Sequence, residues 1–274
     1  SRIAEVHNGS SLFTGDAGSG ESNARRYMIE RDLIEAVIAL PENIFYNTGI
    51  GTFIWILSNR KSPKRKGKIQ LIDATSLKEP LRKNLGKKNC GFSVENRSRI
   101  MEMFLNMEES ETSKIFDNDE FGYWLVIVER PLRLRIDLKK EIPDRVLKAD
   151  DRKDWNKAVT ALPKKTPMDD WTAFAKATKL KATLLKKLRP FITEKDENAK
   201  PIEGEPDAEL RDTEQVPFKY KGGIDAFFKN EVLPFVPDAW INEKQTKIGY
   251  ELSFTKYFYK PAQLRSPEDI AADL

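Results

Sequence analysis

Residues 45–48 form a short aromatic and polar segment and are the first candidates for a binding site. They are Phe45, Tyr46, Asn47 and Thr48. Aromatic rings can stack on a flat ligand, while amide and hydroxyl groups can hydrogen-bond to its edge. Two apolar runs, 33–40 and 53–57, flank this segment. Composition alone favours a simpler alternative, in which Phe45 packs beneath the flanking runs as part of the core.

The two apolar runs predict a pair of buried strands. Neither run alternates polar with apolar residues, which is typical of strands that are covered on both faces. The connection, 41–51, contains Pro41, Gly49 and Gly51, which favour a loop. It is too short for the helical crossover that usually joins parallel strands, so we expect an antiparallel hairpin with residues 45–48 near its tip.

The chain has few residues of the types that other catalytic or metal-binding sites use. His7 is the only histidine and Cys90 the only cysteine, which excludes an internal disulfide and a cysteine-based zinc site. No His/Asp/Ser set and no cluster of metal ligands is evident, so no metal site is predicted. His7 ends a short predicted strand, where a lone histidine is usually structural or exposed.

Composition sets further bounds. The chain has 274 residues, of which 39% are hydrophobic and 33% charged, and its net charge is +4. Because this charge is small, any contact with nucleic acid must come from local basic patches. No stretch approaches the roughly 18 apolar residues of a membrane span, and no signal peptide is visible, so we expect a cytoplasmic protein.

Three long motifs carry a resemblance to a known family. "ALPENIFYNTGIGTFIWIL" resembles the late motifs of adenine-specific DNA methyltransferases, in particular the modification subunit of type I restriction-modification systems. "RIAEVHNGSSLFTGDAGSGESNARRYMIERD" is similar to the strand and loop before them, and "EVLPFVPDAWINEKQTKIGYELSFTKYFY" resembles the C-terminal signature of that family. The motifs occur in the family's order and together span nearly the whole chain.

The resemblance implies a parent enzyme that transfers a methyl group from S-adenosylmethionine to the exocyclic amine of adenine in DNA. A base inside the helical stack is out of reach, so such enzymes flip it out and hold it by stacking. Phe45 occupies the position where related enzymes place an aromatic ring against the flipped adenine, and Tyr46 is the next choice. Asn47 and Thr48 are the expected contacts at the rim of this target-base pocket.

Two motifs that such an enzyme needs are missing. The chain lacks a glycine-rich cofactor turn between a strand and a helix, and it has no Pro-Pro pair, although an adenine-specific enzyme uses an Asn/Asp-Pro-Pro-aromatic tetrad. The sequence also begins inside an apparent strand, Arg2 to Val6. We therefore expect a C-terminal portion of a longer subunit that binds no cofactor and transfers no methyl group by itself.

The fold class implied by the resemblance is α/β. Residues 1–140 are expected to form the later part of a class I S-adenosylmethionine-dependent methyltransferase sheet, mostly parallel with an antiparallel hairpin strand. Residues 141–274 are expected to form a mainly helical region for docking to subunits and DNA. Residues 193–216 are rich in charge and proline and are predicted to be a mobile linker.

Basic residues that could contact DNA phosphates fall in three places. The candidates are Arg25, Arg26, Lys64, Arg65, Lys66, Lys179, Lys186 and Lys187. Arg25 and Arg26 are expected to be exposed on a short helix, 23–30, with Ser22 as its N-cap. The Gly/Ser-rich loop before that helix, 14–22, either approaches phosphates or, as we favour, is a plain connection. The run 60–68 and the basic helical face around 176–189 are either solvated surfaces or phosphate contacts.

Aromatic residues near the C-terminus suggest a docking surface. The candidates are Phe227, Phe228, Tyr257, Phe258 and Tyr259, together with a last helix at 267–274. Aromatic residues are enriched at the centres of interfaces, although these rings could instead pack on neighbouring helices. The family implies four partners: a DNA-specificity subunit, a second modification subunit, a restriction subunit and double-stranded DNA. The competing hypothesis is a non-catalytic DNA-binding or scaffold module that retains a methyltransferase-like half.

Overall fold

The computed structural model describes residues 1–259 and divides them into two compact units. Unit 1 contains residues 1–125, 215–226 and the described residues from 247 onwards, and unit 2 contains 126–214 and 227–246. This division differs from the expected boundary near residue 140, because the chain returns to unit 1 twice after residue 214. The helix predicted at 267–274 lies outside the described residues.

The elements follow one another in mixed order. The first 129 residues form β1 (Arg2–Asn8), α1 (Ser10–Phe13), α2 (Gly20–Glu30), β2 (Ile34–Leu40), β3 (Thr52–Ser58), β4 (Lys68–Asp73), β5 (Glu79–Leu85), β6 (Lys88–Gly91), α3 (Val94–Asn106), β7 (Ser113–Asp117) and β8 (Gly122–Glu129). There follow β9 (Pro131–Ile136), α4 (Ala149–Thr160), α5 (Trp171–Thr178), α6 (Ala182–Ile192), β10 (Thr193–Lys195) and β11 (Pro201–Pro206). The described chain closes with β12 (Asp212–Pro217), α7 (Gly223–Phe227), β13 (Trp240–Ile241), β14 (Lys247–Tyr250) and α8 (Phe254–Phe258).

The main sheet of unit 1 has the strand order β1-β3-β2-β4-β7. β3 is antiparallel to both β1 and β2, so the predicted antiparallel hairpin is confirmed. Only β2 and β4 pair in parallel among the described strands of this sheet. The expectation of a mostly parallel sheet is therefore wrong for these residues. The physical reason is that short loops follow both β2 and β3, and each loop reverses the chain.

Both faces of this sheet are covered around its middle. All seven residues of β2 are buried, as its unbroken apolar sequence predicted. Val37 packs in a cluster that includes residues of α2, β14 and α8, whereas Ile38 packs in a second cluster that includes residues of α3. A mixed sheet with helices on both faces defines unit 1 as an α/β fold.

One edge of the sheet is open. Within the part of the chain that the structure describes, β1 pairs only with β3, and every residue of β1 is exposed. Ile3 and Val6 are 57% and 49% exposed, although apolar residues in a strand usually pack against a neighbour. An apolar cavity of about 230 Å³ lies beside this edge, lined by Met28, Trp55 and Leu57 among others.

Unit 2 contains a small antiparallel sheet and three helices. The strand order is β10-β9-β11, and residues of α4, α5 and α6 share one core with β9 and β11. Residues 193–216, predicted to be a linker, instead carry β10, β11 and most of β12. Ala199 and Val216 are buried there, so a few apolar anchors suffice to order a segment whose composition is mostly charged.

One local prediction also changes. The second helix begins at Gly20 and its N-cap is Ser19, whose side chain accepts a hydrogen bond from the backbone N–H of Ser22. The aromatic segment at 247–259 is a strand followed by a helix, β14 and α8.

Candidate functional site

The tip of the β2–β3 hairpin is a tight turn that one buried side chain anchors to the core. Ile44 is buried and anchors the loop in the cluster beneath the sheet. The backbone N–H of Thr48 donates to the carbonyl of Phe45 at 3.4 Å, and Asn47 has a positive φ of 53°. Asparagine tolerates this left-handed conformation better than most residues, which explains its place in the turn.

This turn presents its aromatic rings outward. Phe45 is 40% exposed and Tyr46 is 67% exposed. A core role for Phe45, the alternative favoured by composition, does not fit this exposure. The loop therefore leaves two aromatic rings partly exposed, and Asn47 and Thr48 belong to the same turn.

A second hairpin, β5–β6, lies directly against this turn and was not predicted from the sequence. Its Lys88 donates from Nζ to the carbonyl of Ile44 at 2.8 Å, and the N–H of Asn89 donates to the carbonyl of Asn43 at 3.2 Å. The Cys90 thiol donates to the carbonyl of Glu42 at 3.3 Å. The signal that could have revealed it is Gly86 between two short extended runs, although those runs are too polar to resemble typical strands.

Arg25, expected to be an exposed DNA contact, is buried and serves the fold instead. It is 2% exposed, and its Nε donates to the carbonyl of Tyr250 at 2.7 Å. Its Nη1 also donates to the carbonyls of Ser11 and Thr14, at 3.2 and 2.8 Å. Burial lowers the pKa of this guanidinium. Its guanidinium is thus committed to backbone carbonyls of unit 1, which corrects the expectation of an exposed phosphate contact.

Arg65 is the second predicted DNA contact that is buried instead of exposed. It is 4% exposed, its Nη2 donates to Gln70 Oε1 at 3.2 Å and to the carbonyl of Phe104, and burial lowers its pKa. Lys61, in the same basic run, is also buried and forms a 2.6 Å ion pair with Asp32. Two of the six basic residues at 60–68 are therefore buried and serve the interior of unit 1.

The remaining basic candidates lie at or near the surface. Lys64, Lys66, Lys179 and Lys186 are exposed, and Lys187 is exposed while it forms a 3.7 Å ion pair with Asp151. Arg26 is half-buried and pairs with Glu30 at 2.8 Å. These six residues stay candidates for phosphate contacts.

Charge is divided sharply within unit 2. Residues 148–192, which carry its three helices, hold twelve Lys and Arg but only five Asp and Glu. Residues 193–214, which follow them, hold three basic and nine acidic residues. A cavity between α4 and α6 is lined by four lysines and two aspartates: Lys157, Lys179, Lys181, Lys187, Asp151 and Asp154. The helical part of unit 2 is thus its basic part.

The aromatic docking candidates separate into two groups. Tyr257 packs against Phe116 with ring centroids 4.2 Å apart, and Phe258 stacks on Phe254 at 4.8 Å, so both pack against the core of unit 1 while they stay half-buried. A docking role for these two residues stays a prediction. Tyr259 is 70% exposed, and Phe227 and Phe228 are half-buried, so these three stay candidates.

Residues 1–259 contain no arrangement of side chains that is typical of another kind of functional site. His7 lies edge-on to Trp55, with ring centroids 6.4 Å apart, as a structural histidine would. Within this part of the chain, no group of three or more His, Cys, Asp or Glu side chains is placed to hold a metal ion. None of the helices described is long and apolar enough to cross a membrane.

The α/β unit and its exposed loop match a family of DNA-modifying enzymes. Residues 1–123 match the family model described as N-6 DNA Methylase. The chain is 31% identical over 153 residues to the methylase subunit of the type I restriction enzyme MjaVII from Methanocaldococcus jannaschii, which covers 52% of this chain and 25% of the relative. It is 36% identical over 106 residues to the MjaVIII methylase subunit of the same organism, covering 38% and 18%.

A solved structure gives a further match. It is the methyltransferase subunit of a type I restriction-modification system from Streptococcus thermophilus, with 25% identity, a TM-score of 0.38 and coverage of 44% of this chain and 24% of that one. The matches to curated relatives and to the family model confirm the resemblance: this chain is related to the modification subunits of type I systems. It spans about a quarter or less of the length of these relatives.

Proposed function

We propose that this chain is the C-terminal portion of the modification subunit of a type I restriction-modification system. The parent enzyme transfers a methyl group from S-adenosylmethionine to the exocyclic amine of adenine in DNA. The observation that carries the proposal is the exposed pair Phe45 and Tyr46 at the hairpin tip, within the segment that matches the N-6 DNA Methylase model.

In this proposal, the hairpin tip supplies one wall of the target-base pocket. The displaced adenine stacks on Phe45, while Tyr46, Asn47 and Thr48 contact its edge or the adjoining sugar. Stacking of a base on an aromatic side chain contributes about 1–3 kcal/mol. The glycine-rich cofactor turn and the Pro-Pro tetrad, which would complete the pocket and activate the amine, belong to the preceding part of the subunit.

The architecture of unit 1 supports this assignment. β3 runs opposite to both β1 and β2, which suits the antiparallel hairpin strand of a class I methyltransferase sheet. The open edge of β1, with Ile3 exposed and an apolar cavity beside it, suits a sheet that continues into further strands. We infer that the cofactor-binding half of the domain continues the sheet at this edge.

The rest of the chain serves docking. Exposed lysines of unit 2, including Lys179, Lys186 and Lys187, are placed to contact the DNA backbone, as are Arg26, Lys64 and Lys66 in unit 1. Phe227, Phe228 and Tyr259 are the aromatic candidates for contact with the DNA-specificity subunit. The assembly includes a second modification subunit, can recruit a restriction subunit, and acts in the cytoplasm on double-stranded DNA.

Methylation by the full-length assembled subunit tests this proposal. Phe45→Ala should lower the rate of adenine methylation by about 5- to 150-fold, the equivalent of losing one stacked base. Because Phe45 is partly exposed, the melting temperature should change little. Phe13→Ala is the matched control, since Phe13 is also an exposed phenylalanine of unit 1.

Two results would count against the proposal. Normal methylation by the Phe45→Ala enzyme would remove the pocket role. An assembled full-length protein with no methylation at all, yet with intact DNA binding, would favour the alternative of a non-catalytic DNA-binding or scaffold module.

A further inference from the structure

The β5–β6 hairpin carries a cluster of unneutralised positive charge. Arg82, Lys83 and Lys87 are exposed, and none of them forms an ion pair with any residue from 1 to 259. Some exposed basic residues elsewhere in unit 1 are neutralised: Lys68 and Lys219, for example, both pair with Asp117, at 3.0 and 3.5 Å. Three uncompensated charges on one short hairpin favour a polyanionic partner.

This hairpin is fixed to the turn that presents Phe45 and Tyr46. Gly86, with a φ of +60°, packs so closely that an added Cβ would overlap the Asn47 side-chain oxygen and would lie 3.2 Å from the Tyr46 ring. The Lys87 stem approaches the same loop, since a Cβ built on Gly49 would lie 3.9 Å from its Cδ. Lys87 is therefore held beside the aromatic turn, and Arg82 and Lys83 lie on the same hairpin.

We propose that the β5–β6 hairpin binds the phosphodiester backbone of the DNA strand whose base is displaced onto Phe45. Arg82, Lys83 and Lys87 contact the phosphates beside the displaced nucleotide. The contacts from Lys88, Asn89 and Cys90 to the backbone at 42–44 hold the phosphate-binding residues and the stacking residues in one fixed arrangement. This inference rests on the proposed target-base pocket and adds a backbone-binding element to it.

Binding of labelled DNA to the 274-residue chain tests the inference. The probe is a fluorescein-labelled DNA duplex with one A·A mismatch, whose adenine is easily displaced, and a fully paired duplex serves for comparison. The hairpin variant combines Arg82→Gln, Lys83→Gln and Lys87→Gln. The matched control combines Lys221→Gln, Lys229→Gln and Lys244→Gln, which removes the same charge from other exposed positions. Circular dichroism checks that both variants are folded.

The hairpin variant should bind the mismatched duplex at least tenfold more weakly than the control variant. The slope of log affinity against log salt concentration should also fall by about two to three, because each lost phosphate contact removes roughly 0.9. Equal affinities and slopes for the two variants would overturn the inference, as would the absence of measurable binding by the unaltered chain at low salt.

Phe45→Ala separates this inference from the proposed pocket. If Phe45→Ala loses the preference for the mismatched duplex while the hairpin variant binds like the control, the pocket stands and the hairpin inference falls. If the hairpin variant is weakened while Phe45→Ala keeps the full preference, the hairpin inference stands and the stacking role falls.

Discussion

The guanidinium of Arg65 lies over the ring of Phe104, with its central carbon 4.1 Å from the ring centroid. The same side chain donates to Gln70 Oε1 and to the carbonyl of Phe104. It therefore joins the loop after β3 to a central strand and to α3. A residue in a basic run that resembles a DNA contact is instead a buried structural link.

Arg65→Ala should destabilise unit 1 by about 2–4 kcal/mol, because it leaves the Gln70 and Phe104 oxygens without a donor and opens a cavity. The free energy of unfolding in urea measures this. Lys66→Ala is the control: Lys66 is exposed in the same run, so its replacement should change stability by less than about 0.5 kcal/mol. Equal stability of the two variants would return Arg65 to the set of DNA-contact candidates.

Stability should fall in alkali because of Tyr250. This phenol is 5% exposed and donates to Glu30 Oε1 at 3.3 Å. Burial, reinforced by the Glu30 carboxylate, raises the pKa of Tyr250 from 10.0 to about 12. The folded state thus keeps the proton where the unfolded state releases it, so the stabilisation is complete below pH 10 and is lost as the pH rises towards 12.

The free energy of unfolding that Tyr250 contributes, and that is lost in alkali, is up to about 2–3 kcal/mol. Urea unfolding at several pH values from neutral to strongly alkaline should show Tyr250→Phe losing stability less steeply than the unaltered chain above pH 10. The stability of Tyr250→Phe will still fall somewhat with rising pH, since burial also raises the pKa of Tyr123 and Tyr257. Identical profiles for the unaltered chain and Tyr250→Phe would refute the assignment.

The 274-residue chain should not bind S-adenosylmethionine by itself, because it lacks the glycine-rich turn that holds this cofactor. Isothermal titration calorimetry with millimolar cofactor should give no saturable heat. The positive control is the full-length subunit, titrated in the same buffer. Saturable binding to the 274-residue chain at micromolar concentrations would contradict its assignment as a portion without the cofactor site.

Local patterns were enough to predict the centre of unit 1. The two unbroken apolar runs and the short loop between them specify a buried antiparallel hairpin, and the structure has one. That prediction succeeds because both signals, the lack of polar residues in the two runs and the length of the loop between them, lie in one continuous stretch of sequence. The exposed position of Phe45 was not predictable from composition and came only from the family resemblance.

The errors arise where the partner of a residue is distant in sequence. Arg25 looks like a surface charge because its main acceptor, the carbonyl of Tyr250, is 225 residues away. Tyr257 looks like a surplus aromatic because its ring partner, Phe116, lies far earlier in the sequence. The β5–β6 hairpin has few strand-forming residues, and its contacts with the 42–44 backbone stabilise it where propensity does not.

The net charge of unit 2 changes sign along the chain: residues 148–192 are basic overall and residues 193–214 are acidic. Ion pairs of Arg189 with Glu205 and of Lys200 with Asp170 join the two segments, so acidic side chains neutralise part of the basic helical surface. In the proposed docking role, the lysines that stay exposed attract a polyanion over a range that salt shortens. Raising the salt concentration is therefore expected to slow association more than it changes dissociation.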